Sequence, residues 1–335
     1  MENQHQTQAS AALAAEALSA AEMTALRIAR VDDVAQGIRS FTLVRPDGAA
    51  LPAFTAGSHI KVQAPNGSVR KYSLCNDPAD PSFYQITVKR DANGQGGSIS
   101  MVDQAAEGDT LMVSAPDNAF PLNEKAAGYI FIAGGIGITP ILSMIRSFGE
   151  LPPAAWKLFY LTQAFETTPF IDELNALGAS GTVRIHHDQG DPNRSFDLWP
   201  VLERPTGAHI YCCGPRGLMD AVRDMSGHWP HENVHFESFT DGSVARPDDH
   251  AFVVRLAGSG ASVEVPVGVS ILAALRQQGC HVASSCESGT CGTCRTGLLG
   301  GEADHRDMVL MPEEWDSQIM ICVSRAKSAE LLLDL

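Results

Sequence analysis

The sequence predicts a multidomain chain. A small antiparallel β-barrel comes first, an α/β domain on a doubly wound parallel sheet follows, and a compact α+β segment ends the chain. Three observations predict this. The 335 residues exceed what one hydrophobic core usually organises, so two or three domains are expected. Short β runs separated by turn residues fill the first part, and from about Lys125 strands alternate with helical stretches. Five of the eight cysteines crowd into the last third, and clustered thiols in a long chain point to metal or redox chemistry rather than disulfides.

Residues 1–24 read as an Ala-rich, poorly packed extension. With no basic leading region and with acids present, the extension is not a signal or transit peptide, so the cytoplasm is the expected location. The barrel domain is expected over 25–124, from the runs ALRIARV, IRSFTLV, SHIKVQA, KYSL, YQITVKR and TLMVSA. Turns at Pro46-Asp47-Gly48, Pro65-Asn66-Gly67 and Pro78–Pro81 break them, and many short strands at close spacing suit a small barrel. A helix is expected from Gly97 to Gln104. The α/β domain is expected over 125–240, with strands at YIFIA, WKLFYLT, TVRIHH and AHIYCC and helices near 139–148, 168–177 and 215–225. Residues 241–250 are polar and turn-rich, a linker. Residues 251–335 form the last domain, with a helix near 270–278.

Composition removes several functions. With 44% hydrophobic and 19% charged residues the chain is globular rather than disordered. No run approaches ~18 apolar residues, so no membrane span is expected. The net charge of −15 is spread along the chain with no basic segment, which argues against nucleic acid and anionic membrane surfaces as partners.

The strongest chemical signal is the loop Ser284–Cys294. Cys286, Cys291 and Cys294 follow C-x4-C-x2-C, and Cys322 comes after 27 intervening residues. This is the plant-type [2Fe–2S] spacing. Three thiolates from one tight loop wrap one side of a small cluster and a distant fourth closes it. Gly289 and Gly292 let the backbone approach the charged centre. The alternative is a structural zinc site, which usually pairs two C-x2-C knuckles where this chain has one. Cys280 lies outside the pattern and reads as a small buried hydrophobe.

Tyr129–Ala133 runs into Gly134, Gly135, Gly137, Thr139 and Pro140 and then a helix. A strand, a glycine turn and a helix N-terminus cradle a pyrophosphate, and Pro140 suits a first helical turn. Alone, such a turn is equally a tight connection. The next strand is followed by Gln163-Ala164-Phe165-Glu166, with no cation for a 2′-phosphate, which favours NADH over NADPH. In the barrel, Arg70, Lys71, Tyr72, Ser73 and Leu74 lie on one strand. Arg70 can hold a phosphate, Tyr72 can lie against a planar ring, and Ser73 can bond a ring nitrogen. Lys89 adds a second charge, and Gly96, Gly97, Ser98 and Ser100 open a helix as a second phosphate cradle. The plain alternative is a half-exposed edge strand.

The stretches RKYSL (70–74), GGSIS (96–100), AGGIGITP (133–140), YCCGP (211–215), HFESF (235–239) and the cysteine loop resemble the ferredoxin–NAD(P) reductase superfamily, and within it the phthalate dioxygenase reductase family. The resemblance covers the chain from about residue 25. It implies an FMN-binding barrel, an NAD-binding domain and a β-grasp [2Fe–2S] ferredoxin-like domain, in that order. It also implies residue roles. Arg70 binds the FMN phosphate, Tyr72 flanks the isoalloxazine and Ser73 lies near its N5. Cys213 and Gly214, with Pro215 in the same turn, line the nicotinamide position, and Glu237 and Phe239 close the flavin face. Without the resemblance, Cys213 reads as a buried strand-end thiol and Phe239 as core. His186, His187, His228, His231 and His235 have no metal-ligand spacing and read as surface or packing residues.

The implied activity is an NADH-dependent reductase passing electrons from NADH through FMN and the [2Fe–2S] cluster to a terminal Rieske-type aromatic-ring oxygenase. The cofactors supply the reactivity and the protein the orientation. No oxygen-activating 2-His-1-carboxylate set stands out, so the acceptor is another protein. The competing readings are the reductase of an aromatic O-demethylase or another monooxygenase, a non-enzymatic redox sensor, and a zinc-stapled interaction module.

Overall fold

A computed structural model describes residues 23–92, 94, 96–149, 154–177, 182–239 and 246–335. Residues 1–22 of the expected extension and 241–245 of the expected linker lie outside them. The described chain divides into two compact units, one running to Phe236 and one from Glu237.

The first unit opens with β1 (Thr24–Ala35), β2 (Ile38–Val44), β3 (His59–Gln63), β4 (Val69–Ser73), β5 (Tyr84–Lys89), the helix α1 (Gly97–Gln104) and β6 (Thr110–Val113). The strands form a six-stranded sheet, order β4-β3-β6-β1-β2-β5, antiparallel at every pairing. Its two edges meet just past β4, where Leu74 bridges Ile86 of β5. Alternate residues point inward, so Leu26, Ile28, Phe41, Leu43, Ile60, Val62, Ile86 and Val88 build one core.

The same unit continues with β7 (Gly128–Gly134), α2 (Ile138–Arg146), β8 (Ala155–Thr162), α3 (Ile171–Leu177), β9 (Thr182–His187), α4 (Trp199–Leu202), β10 (His209–Cys213), α5 (Arg216–Met225) and β11 (Val234–Glu237). They form a five-stranded sheet, order β11-β10-β7-β8-β9, with β10, β7, β8 and β9 in parallel register. Central β7 is buried along its whole length, as a strand covered on both faces must be. The order reverses between β7 and β10, the switch point at which doubly wound sheets bind ligands. The boundary expected at 124/125 falls inside a shared cluster, because Ala56, Cys75 and Phe120 pack with Tyr129, Phe131, Ile141, Met144 and Tyr211.

The second unit contains β12 (Phe252–Leu256), β13 (Ser262–Val265), α6 (Ile271–Gln277), β14 (Arg295–Gly300), β15 (Ala303–Asp304), β16 (Gln318–Met320), β17 (Arg325–Ala326) and β18 (Glu330–Leu333). Its mixed sheet runs β13-β12-β18-β14-β16, beside a β15-β17 ribbon. Helix α6 lays Ile271, Leu272, Ala274 and Leu275 onto that sheet, the β-grasp arrangement, and Ser270 caps it by accepting the Ala273 N–H at 3.1 Å. No helix among the described residues is long and apolar enough to cross a membrane.

Residues 246–250, the end of the expected linker, are tied into this unit. The Asp249 carboxylate, its side chain 2% exposed, pairs with Arg306 and approaches Arg325 at 3.7 Å. Arg325 donates to the His250 carbonyl at 2.8 Å. The Arg306 guanidinium holds the Asp249 carboxyl down at about 2. Its contribution to stability is therefore complete above the ordinary value of 3.8 and is lost as the pH falls towards about 2. Asp249→Asn removes the carboxylate that two buried guanidinium groups share, leaving Arg306 with Asp304 and Arg325 with backbone carbonyls. It should destabilise this unit by about 1–3 kcal/mol, measured by urea unfolding at neutral pH.

Candidate functional site

The described residues present three groups of functional side chains. The first lies along β4. Its register sets Arg70 opposite Val62 and Tyr72 opposite Ile60, two inward positions of the barrel sheet, while Lys71 faces Lys61 on the other, exposed side. A Cβ placed on Gly97 would stand 2.9 Å from Ser68 Oγ and 3.0 Å from Arg70 Cγ, so the Arg70 stem lies directly against the first residue of α1. Gly96 caps that helix in the left-handed conformation (φ 87). A guanidinium and a helix N-terminus at one spot suit a phosphate.

The Ser98 hydroxyl accepts the Asp91 N–H at 3.1 Å, and the Ser100 hydroxyl donates to the Gly97 carbonyl at 3.0 Å. Both serines therefore shape the first turn of α1. The Tyr72 hydroxyl is buried without a hydrogen-bond partner, and burial pushes it up to about 12. A buried unpaired phenol beside a phosphate-type cradle fits a ring-bearing nucleotide such as a flavin. Ser73 and Leu74 are buried, and Lys89 is exposed at the end of β5.

The second group lies at the switch point. The turns after β7 and β10 touch backbone to backbone. A Cβ on Gly137 would stand 2.2 Å from the Cys213 carbonyl oxygen, and one on Gly134 would stand 2.6 Å from Pro215 Cδ. One on Gly214 would meet Gly134 Cα at 2.8 Å. Only glycine permits this approach, and it sets the N-termini of α2 and α5 side by side. Gly135 takes φ 53 in open space, Thr139 Oγ1 donates to the Ile136 carbonyl at 3.1 Å, and Pro140 is buried in the first turn of α2. Two amide-bearing helix starts at one sheet edge suit a dinucleotide pyrophosphate. Cys213 is fully buried at the end of β10. Glu237, buried, ends β11, and Phe239 just beyond is 47% exposed, not the core residue its type suggests.

Sequence reasoning missed the residue that joins these groups. Arg146, in the last turn of α2, donates to the Cys75 carbonyl at 2.6 Å and to Gln85 Oε1 at 2.8 Å, and it forks onto Glu173. A cation ending a helix reads locally as a complement to the helix dipole, and nothing nearby in sequence names its distant partners.

The third group is the cysteine loop. No cysteine is in a disulfide. The Cys286 N–H points at Cys291 Sγ from 3.5 Å, and Cys294 and Cys322 are both buried thiols. Amides of Ser288 and Thr290 both point at Cys286 Sγ from 3.4 Å, and the Gly289 amide points at Cys322. Hydrogen bonds from the Cys291 thiol and these amides hold Cys286 well below the ordinary thiol value. Gly289 (φ 75) has Val323 Cγ2 at 2.6 Å from a would-be Cβ. Cys280 is partly buried and packs at the margin of the core cluster that includes Cys294 and Cys322. Among the described residues no three His, Cys, Asp or Glu side chains close about one ion position. Four thiols with two amides turned towards one of them suit a [2Fe–2S] cluster, whose negative charge such N–H groups would offset.

Residues 254–327 match the family model "2Fe-2S iron-sulfur cluster binding domain". The chain is 54% identical to the phthalate dioxygenase reductase of Burkholderia cepacia, over 92% of this chain and 97% of that one. It is 52% identical to the phthalate 4,5-dioxygenase reductase subunit of Pseudomonas putida, over 93% and 97%. A solved phthalate dioxygenase reductase, described as a modular structure for electron transfer from pyridine nucleotides to [2Fe–2S], superposes with TM-score 0.69 at 52% identity, covering 93% of this chain and 98% of that one.

The turn contact makes a test. Gly137→Ala needs a separation of roughly 1 Å between the two turns, and a misplacement of that size costs on the order of 10²-fold in a positioned reaction. Stopped-flow reduction by NADH should slow by about that factor in a variant whose visible spectrum is unchanged.

Proposed function

The chain belongs to the phthalate dioxygenase reductase family, and from that membership we propose that it is the NADH-dependent reductase component of a Rieske-type aromatic-ring dioxygenase system. Its substrate system is that of phthalate or a related aromatic acid. The observation that carries the reading is the presence in one chain of a two-turn edge shaped for a dinucleotide and a three-cysteine loop that, with the distant Cys322, suits a [2Fe–2S] cluster. Bound FMN would supply the conversion of a two-electron hydride donor into single electrons, and the cluster would supply a one-electron relay towards the oxygenase.

The protein's own residues bind and orient. Arg70 and the first amides of α1, at Gly96 and Gly97, hold the FMN phosphate, and Tyr72 covers the flavin ring with Ser73 as a hydroxyl partner. The turn Gly134–Pro140 holds the NADH pyrophosphate, and Cys213, Gly214 and Pro215 line the nicotinamide position. Glu237 and Phe239 cover the flavin face. Cys286, Cys291, Cys294 and Cys322 hold the cluster.

An anaerobic NADH titration of the purified protein tests the reading. Flavin and iron–sulfur absorption should both bleach, and acid extraction should release FMN. A colourless protein, or one containing zinc and no flavin, overturns it. Cys291→Ser should abolish reduction of the terminal oxygenase and leave NADH-driven flavin reduction near normal. Loss of flavin reduction in a folded, FMN-loaded variant would contradict separate roles for the two centres.

A further inference from the structure

We propose that Arg276 is a positioning residue for the cluster. By clamping Glu287 in a left-handed backbone conformation, it fixes the loop whose amides aim at the Cys286 sulfur, and it thereby raises the cluster's reduction potential. The inference rests on the four cysteines holding a [2Fe–2S] centre.

Glu287 sits between the ligand Cys286 and Ser288 with φ 56, one of three non-glycine residues with positive φ among the described residues. In that region Cβ crowds the backbone, and glutamate lacks the short polar side chain that lets Asn or Asp visit it. Such a conformer persists only where its surroundings impose it. Here the Glu287 carboxylate accepts from Arg276 NH1 at 2.9 Å and from the Ser284 hydroxyl at 3.0 Å. Arg276 also donates to Ser284 Oγ, closing a three-membered clamp. Arg276 projects from the end of α6, whose other face is set in the domain core, so the clamp has a rigid base.

The turn at Glu287 is followed at once by the amides of Ser288 and Thr290 that reach Cys286 Sγ. Reduction adds negative charge to the cluster, and N–H donors to its sulfurs favour that state. A half-exposed ion pair such as Arg276–Glu287 adds little to stability, so its consequence lies in loop geometry.

The test uses the full-length, cluster-loaded protein. The readouts are the cluster's midpoint potential, followed by the EPR signal of the reduced state, and the rate at which a chelator bleaches the iron–sulfur band. Arg276→Ala should shift the potential to more negative values and speed bleaching several-fold. Arg276→Ala with Glu287→Gly should restore both, because glycine adopts positive φ unaided. Arg276→Ala with Glu287→Gln carries the unaltered net charge but keeps the strained side chain, and it should not restore them.

An unshifted potential in Arg276→Ala overturns the proposal. So does restoration by glutamine equal to that by glycine, since the effect would then be one of charge alone. Should Arg276→Ala hold no cluster, recovery in the glycine double variant supports the proposal and its failure overturns it. Absence of the EPR signal from the unaltered reduced protein overturns the cluster reading together with this one, whereas the outcomes above overturn only this one.

Discussion

Arg146 places its guanidinium between the two sheets of the first unit and satisfies it on every side. Both Glu173 oxygens accept from it at 2.7 Å, the Cys75 carbonyl and Gln85 Oε1 accept from NH1, and the Phe170 ring lies 5.8 Å beneath. A planar fork can serve these partners at once, whereas a lysine ammonium cannot. One turn earlier, the Ser143 hydroxyl donates to the Asn76 carbonyl at 2.9 Å. Helix α2 thus begins at the turn of Gly135 and Gly137 and ends gripping the chain just past Arg70–Leu74. The strand with the phosphate-type cradle and the turn with the dinucleotide edge are opposite ends of one rigid connection, so neither can shift without straining the other. A buried charge is costly unless fully paired, and this one is placed where pairing it also fixes the geometry.

What could be read in the sequence is what short stretches encode. The cysteine spacing, the glycine turns and the β/α rhythm each depend on neighbours within a few residues, and the fold follows them. The reading weakened where a residue's meaning depends on distant partners. Asp249 reads as part of a polar linker, yet its carboxylate is buried against Arg306, 57 positions away. The separate barrel and α/β domains read from the change of rhythm near Lys125 share a hydrophobic cluster that no local pattern announces. Lys71 stands beside Arg70 in sequence but on the opposite face of β4, because strand neighbours alternate. His235, read as a packing residue, stacks on Tyr211 at 4.4 Å and shares a 2.9 Å hydrogen bond with His209. Burial drives His235 down to about 4, so the imidazole pair is neutral at neutral pH.

The three non-glycine residues with positive φ share a feature. Phe170 lies under the Arg146 guanidinium, the Gln189 side-chain oxygen accepts from Arg194, and Glu287 accepts from Arg276. Every other positive-φ residue described is a glycine. The left-handed conformation costs on the order of 1–2 kcal/mol for a residue with a side chain, and an exposed ion pair returns only about 0.2–1 kcal/mol. At Phe170 the contact with the Arg146 guanidinium is backed by that group's partly buried pair with Glu173. At Glu287 the Ser284 hydroxyl adds to the ion pair, and the amide contacts to the Cys286 sulfur that the turn permits add further. Those contacts strengthen as the sulfur gains negative charge. Backbone conformation and the electronic state of the thiolates are therefore coupled at this turn, and a glycine there would relieve the strain while leaving the amide contacts in place.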